Sequence, residues 1–276
     1  MGLEHPKVGI VGGTGKMGSW FGDVLEGLGL EVMRCGRSTE LRPKDVASLC
    51  DVVVVSVPIK DTVSVIEQIG PLVRKDALLM DLCSVKTEPV SAMLKYSRSQ
   101  VVGLHPLFGP RAGQNSHLSV AVCPARGEEG LRWITRIIKK AELKPVVLPP
   151  LLHDHIMGLI QGAHHFSVLA LAQCIMRSGY SVRDLLKLST PSFKQTLERI
   201  GSILDQTPDL FGPLMMDNAF SRQFIESYRE SCEQLAEIIA NKQDEIFKDV
   251  FLSLKKYFGQ EEHRNERDLG KGRSVA

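Results

Sequence analysis

Residues that could do chemistry cluster in a few short motifs. In VGIVGGTGKMG, residues 8–18, an apolar run ends in Gly13, Gly15 and Gly18 at the G-x-G-x-x-G spacing. The first glycine allows a tight turn, the second lets backbone approach a pyrophosphate, and the third lets helix and strand pack closely. An anion would then rest on the orphan N–H groups of a helix N-terminus, where the macrodipole favours it. A glycine-rich turn after a buried strand can also be plain loop chemistry, so the surroundings must decide. Ser84, in DLCSVK, offers a hydroxyl, with capping of the next helix by Ser84 or Thr87 as the competing role. His105 stands in GLHPLFGP, held by Pro106, Gly109 and Pro110, and an imidazole so pinned can accept a proton near neutral pH.

The elements that must position these groups follow from periodicity. Strand-like runs at the N-terminus and at Leu30–Cys35, Asp51–Val57, Ala77–Leu82, Gln100–Leu104, Ser119–Cys123 and Lys144–Leu148 alternate with helical patterns. The β-branched run DVVVVSV has the look of a central strand buried on both faces. This is the pattern of an α/β fold, a Rossmann-like doubly wound parallel sheet, in which ligands bind outside the carboxyl ends of the strands. Ser84 and His105 each follow such an end, and Val57 and Pro58 border the same crevice. Cofactor contacts are therefore expected from Gly13, Thr14, Gly15, Lys16, Met17 and Gly18, and from Val57 and Pro58.

The second strand decides which dinucleotide. An NAD site commonly has an acidic residue about 20 residues after the loop, whereas Gly36-Arg37-Ser38 stands there. Arg37 and the Ser38 hydroxyl offer charge-assisted donors to a 2′-phosphate, which favours NADP and leaves NAD possible. A solvated turn is the competing role for Arg37.

Pro149-Pro150 marks a domain boundary, and the rest reads as long helices. Expected helices are Leu152–Ser178, Ser181–Leu188, Ser192–Asp205, Pro208–Asn218 and Ser221–Phe258. The first is apolar nearly all round, as a core or subunit-interface helix is, and too interrupted by Gln and His for a membrane span. The expected division is a dinucleotide-binding domain over 1–149, an all-helical domain over 150–258, and a frayed charged tail over 259–276. The histidines of this region are not spaced as metal ligands on one helix face, so no metal is expected.

Composition excludes several function classes. With 34 Lys+Arg against 32 Asp+Glu the formal charge is +2, so no global field calls for nucleic acid. Met1–Lys7 is short and polar and no stretch is an uninterrupted apolar span, so a cytoplasmic protein away from the membrane is expected. The 6 cysteines are scattered without a C-x-x-C pair and read as free thiols, not a disulfide frame.

Taken together, VGGTGKMG, DLCSVK, GLHPLFGP and HDHIMGLIQGAHHF resemble the motifs of the prephenate dehydrogenase family, in that order along the chain. The resemblance runs from the glycine loop to about Gly259. It implies a Rossmann-like domain followed by a helical domain that forms a homodimer, and oxidative decarboxylation of prephenate to 4-hydroxyphenylpyruvate with hydride transfer to the nicotinamide, in tyrosine biosynthesis. It further implies His105 as the group that accepts the 4-hydroxyl proton and Ser84 as the serine ordering hydroxyl, histidine and nicotinamide. His165 would line the substrate pocket, with His153 and Asp154 helping at the domain interface. At the position of the family's carboxylate-binding arginine this chain has Ser202. Arg199, one helical turn back, could serve, with Lys194 and Arg111 as rivals and a surface salt bridge as its competing role. Prephenate and arogenate stay undivided, and tyrosine could inhibit at the active site. A β-hydroxyacid dehydrogenase would want a lysine on the long helix, which has none; a deazaflavin-dependent reductase or an NADP sensor would not need His105. No chorismate mutase segment is expected before Val8, although the chain could be part of a longer protein.

Overall fold

The computed structural model describes residues 5–109 and 118–271. Arg111 and the last residues of the tail lie outside them. Among the described residues, seven strands form one sheet in the order β2-β1-β3-β4-β5-β6-β7. They are β1 Val8–Val11, β2 Val32–Cys35, β3 Val52–Val55, β4 Leu78–Asp81, β5 Gln100–Pro106, β6 Ser119–Arg126 and β7 Lys144–Val147. Helices α1 Lys16–Gly27, α2 Pro43–Leu49, α3 Ile59–Ile69, α4 Thr87–Tyr96 and α5 Glu128–Lys140 cover its two faces.

The four valines of β3 show why the sheet must be covered twice. Val52 and Val54 pack with Phe21, Leu25, Trp133 and Ile134 on the α1 and α5 side. Val53 and Val55 pack with Val46, Ile66 and Met93 on the side of α2, α3 and α4. Successive side chains of a strand point to opposite faces, so an unbroken apolar run is stable only between two helical layers. Helix α5 is strongly two-sided, with Glu128 and Glu129 in its first turn and Lys139 and Lys140 in its last, each complementing the helix dipole.

The sheet is dominated by the parallel pairing expected from the sequence, with one exception: β6 returns antiparallel to β5, with His105 opposite Ala121 and Pro106 opposite Val120. The remaining pairs, β1 with β2 and β3, β3 with β4, β4 with β5, and β6 with β7, are parallel.

The helix expected over Leu152–Ser178 is interrupted. Helix α6, Pro150–Met157, passes through a π-helical turn at Gly158–Ala163 into α7, His164–Arg177. Gly158 and Gly162 account for it: a Cβ at Gly158 would lie 2.9 Å from Phe220, and one at Gly162 would lie 2.4 Å from Ser221 Oγ. The close approach needs glycine, and a widened turn accommodates it. By length and composition Pro150–Arg177 could cross a bilayer. Its start is nevertheless committed elsewhere, because His153 and Asp154 are buried against the sheet domain's polar groups.

After α7 come α8 Val182–Lys187, α9 Pro191–Leu204, α10 Pro208–Met216, α11 Ser221–Ala240 and α12 Asp244–Lys271. The single helix expected over Ser221–Phe258 is two, because Lys242 takes the left-handed conformation (φ 52). Its N–H bonds Ile239 O and that of Gln243 bonds Ile238 O, the paired bonds that close a helix. Helix α12 continues past Gly259, where a frayed tail was expected. Two compact units divide the chain, one through Phe224 and one from Ile225 onward; the first holds the sheet and helices α1–α10, the second most of α11 and α12.

Candidate active site

The strand order reverses at β1, whose neighbours are β2 on one side and β3 on the other. Beyond the carboxyl ends of β1 and β3 an open sheet has a crevice, and the glycine loop lies there. Gly12 takes the left-handed conformation (φ 82), and a Cβ on it would sit 2.1 Å from Ser56 O at the end of β3. The tight turn thus falls on Gly12, one residue before the Gly13 expected from the spacing. Gly18 packs against Gly12, since a Cβ there would be 2.4 Å from Gly12 O, the helix-to-strand role expected of it. A Cβ on Gly15 would meet only Gly12 O, at 3.2 Å, so its outer side is open. Gly15 is also the N-cap of α1, and no side chain caps that helix. The N–H donors of its first turn are left for an anion, and Thr14, Gly15 and Lys16 are exposed beside them.

Arg37 and Ser38 form an exposed turn after β2, held by Thr39 Oγ1, which accepts the Gly36 N–H at 2.9 Å. A Cβ on Gly36 would be 2.1 Å from Thr14 Oγ1, so this turn lies against the glycine loop. Arg34 is committed to Asp23 and Glu26, both at 2.8 Å, whereas Arg37 has no ion-pair partner among the described residues. Val57 abuts Gly12, and Pro58 caps α3 at the crevice edge.

His105, near the end of β5, is buried, and its Nδ1 lies 2.9 Å from His153 Nε2. His153, fully buried on α6, places its Nδ1 2.8 Å from Asp154 Oδ1. Asp154 Oδ1 also accepts the Lys86 N–H at 2.7 Å, and Oδ2 accepts the Thr87 N–H at 2.8 Å. Asn218 donates to Asp154 O at 2.8 Å and fixes the backbone beneath. Hydrogen bonds from His153, Thr87 and Lys86 outweigh desolvation and hold the Asp154 carboxyl below its usual range, so it is ionised.

An acceptor-only carboxylate sets the protons of the whole chain. With His153 neutral, its Nδ1–H faces Asp154 and its Nε2 is an acceptor; His105 then presents Nδ1–H to His153, which leaves Nε2 of His105 with a free lone pair. Burial first, then His153 and Lys86, push the His105 imidazole well below its usual range, against an opposing pull from Asp154. Neutral His105 with a directed lone pair can accept a proton, and the resulting cation would be shared toward His153 and Asp154.

Asp154 also corrects the capping expectation. Helix α4 has no side-chain cap from its own sequence. Neither Ser84 nor Thr87 caps it with its own side chain. The carboxylate that takes the orphan N–H groups arrives from α6. Ser84 is half-buried in the loop after β4, next to the strand that carries His105.

The residues expected to bind substrate form a looser group. His165 on α7 packs on Phe211 of α10 with ring centroids 4.9 Å apart, and its Nδ1 is buried without a hydrogen-bond partner among the described residues. Desolvation, then the neighbouring His164, lower its pKa. Arg199 on α9 is exposed and approaches His164 Nε2, not His165, at 3.5 Å. Lys194 and Ser202 are exposed on the same helix. His155, next to the His153-Asp154 pair in sequence, faces elsewhere, between the rings of Phe220 and Phe224. Sequence reasoning missed Lys86, whose only signal was a lysine just past a buried strand end, and Asn218.

Residues 30–142 match the family described as "Prephenate dehydrogenase, nucleotide-binding domain", and residues 149–256 match "Prephenate dehydrogenase, dimerization domain". A "Probable arogenate/prephenate dehydrogenase" of Methanocaldococcus jannaschii is 31% identical over 93% of this chain and 62% of its own length. The chain therefore spans less than two thirds of that relative. A "T-protein" of Enterobacter agglomerans is 30% identical over 95% of this chain and 70% of its own. Among solved structures, prephenate dehydrogenase from Aquifex aeolicus, in complex with hydroxyphenyl propionate and NAD+, superposes with a TM-score of 0.73 at 19% identity, covering 97% of this chain and 99% of that one. Synechocystis arogenate dehydrogenase gives 0.67 at 20%, covering 94% and 99%. The motifs, the sheet order and these matches agree: the chain belongs to the prephenate dehydrogenase family.

Proposed function

We propose that this chain carries out the oxidative decarboxylation of prephenate to 4-hydroxyphenylpyruvate with NADP as hydride acceptor, and that arogenate is the alternative substrate. The observation that supports it most is the His105–His153–Asp154 chain, held at the carboxyl end of β5 on the same edge of the parallel strands as the glycine loop. The crevice fits the cofactor: an uncapped α1 N-terminus and the open side of Gly15 suit a pyrophosphate, and Arg37, Ser38 and Thr14 suit a 2′-phosphate. When bound, the nicotinamide supplies the acceptor for hydride leaving C4 of the substrate.

The chain's own residues do the rest. His105 Nε2 accepts the proton of the 4-hydroxyl as C4 is oxidised, and CO2 departs as the ring becomes aromatic. Asp154, through His153, holds the tautomer that makes this possible and stabilises the imidazolium that forms. Ser84 orders the hydroxyl, and Arg199, with His165 and Lys194, receives carboxylate groups. The exposed apolar residues Leu151, Leu152, Ile156, Leu159 and Ile160 on α6 and the π turn support a second copy as their cover, a homodimer through the helical region.

The test is reduction of NADP and NAD by purified protein given prephenate, then arogenate, followed at the nicotinamide absorbance. Prephenate with NADP is expected to turn over fastest. No turnover with any pair, in protein that binds NADP, would overturn the assignment.

A further inference from the structure

Asp81 and Lys86 are the most deeply buried ion pair among the described residues, both without solvent exposure, and the reaction above makes no use of them. Asp81 ends β4, and its Oδ2 meets Lys86 Nζ and also accepts the Cys83 N–H at 2.8 Å. Lys86 Nζ reaches across to β5 and donates to Leu104 O at 2.7 Å, the carbonyl immediately before His105. The lysine stem passes Gly103, where a Cβ would lie 3.1 Å from Lys86 Cδ and 2.7 Å from Val90. The backbone N–H of the same residue holds Asp154 at 2.7 Å. One residue therefore touches both supports of His105, the strand that carries it and the carboxylate that orders its partner.

Stability does not explain such a pair. Two buried charges are often replaceable by apolar residues at no cost, so their presence at the end of β4 and β5 calls for a positional reason. We propose that Lys86 is a positioning residue for His105: its side chain clamps the end of β5 while its backbone N–H anchors Asp154. The inference rests on the reading of His105 as the proton acceptor. The charged and titratable groups acting on His105 are His153 and Asp154 from α6 and Lys86 from the loop after β4, with Asp81 paired to Lys86 and Cys123 of β6 opposite Gly103. Burial pushes the Cys123 thiol up to about 12, which leaves it uncharged. Asp154 pulls the imidazole toward its cation, and Lys86 opposes that pull.

The decisive variant is Lys86→Met combined with Asp81→Asn, because removing the lysine alone would strand a buried carboxylate. Protein that keeps its near-ultraviolet circular dichroism and its NADP affinity is titrated by NMR at the His105 ring, and kcat and KM are measured across pH. The ring titration is expected to rise by about one pH unit. The kcat is expected to fall roughly tenfold or more with KM nearly unchanged. A ring that titrates as in the parent protein overturns the proposal. The single Asp81→Asn variant, which keeps Lys86 and its bond to Leu104, must leave His105 titrating below its usual range; an equal rise there would assign the effect to the carboxylate and also overturn it. The ring titration needs no substrate, so an inactive parent protein would count against the proposed reaction while the clamp stood or fell on its own readout.

Discussion

The two groups of polar residues in the larger unit are built to opposite standards. Around His105 every contact is short and buried: 2.9 Å to His153, 2.8 Å onward to Asp154, and two backbone N–H groups on that carboxylate. Around His165 the cations are exposed, Arg199 approaches His164 across elements only at 3.5 Å, and the buried His165 Nδ1 has no hydrogen-bond partner among the described residues. A base must be held in one tautomer before substrate arrives, since reorganising it during the reaction would raise the barrier. On the proposed function, the cations of the second group receive carboxylates and can stay open, because the ligand would supply their partners.

Substitutions can break or sharpen this contrast. The largest effect is expected from His105→Asn, which removes the acceptor: kcat should fall roughly 10³-fold while NADP affinity, read by fluorescence, stays within twofold. Next comes Asp154→Asn. Its one amide oxygen must serve two backbone N–H groups while its NH2 faces His153, which turns the proton chain around and puts a hydrogen on His105 Nε2. A drop of about 10²-fold or more in kcat is expected, with a lowered unfolding midpoint as α4 loses its cap. Arg37→Ala should weaken NADP by roughly tenfold or more and NAD hardly at all; equal losses, measured as Kd for each, would defeat the phosphate role. The smallest effect belongs to the open group: Arg199→Ala should raise KM by about tenfold or less with kcat kept, and a collapse of kcat instead would show that this group is also pre-ordered.

Much of the sheet was legible because its signals are local. The run of valines in β3 can be satisfied only between two layers, and glycine spacing after β1 marks the crevice whichever of Gly12 and Gly13 makes the turn. The turn after β2 was readable as a missing carboxylate and a present arginine. What escaped was non-local. The cap of α4 lies on a helix that begins more than sixty residues later, so Ser84 and Thr87, the residues in the local sequence pattern, were the natural but mistaken choice. The π turn after α6 is imposed by Phe220 and Ser221 pressing on Gly158 and Gly162, a tertiary contact with no periodic trace. The direction in which β6 pairs with β5 is likewise not encoded in strand propensity. Lys86 passed unremarked because its partners, Asp81 and Leu104 O, converge only when β4 and β5 pair.

The central claim is that His105 works as a neutral base held by Asp154 through His153, and the pH dependence of kcat/KM for prephenate tests it most directly. Protonation at Nε2 removes the acceptor, so the rate must fall on the acid side as pH drops through the imidazole pKa. Since burial and Lys86 hold that pKa well below the usual 6.5, the account predicts kcat/KM flat from neutral pH down past 6.5 and falling only well below it. An acid limb at or above 6.5, or a profile with no acid limb that His105→Asn leaves unchanged, would contradict it.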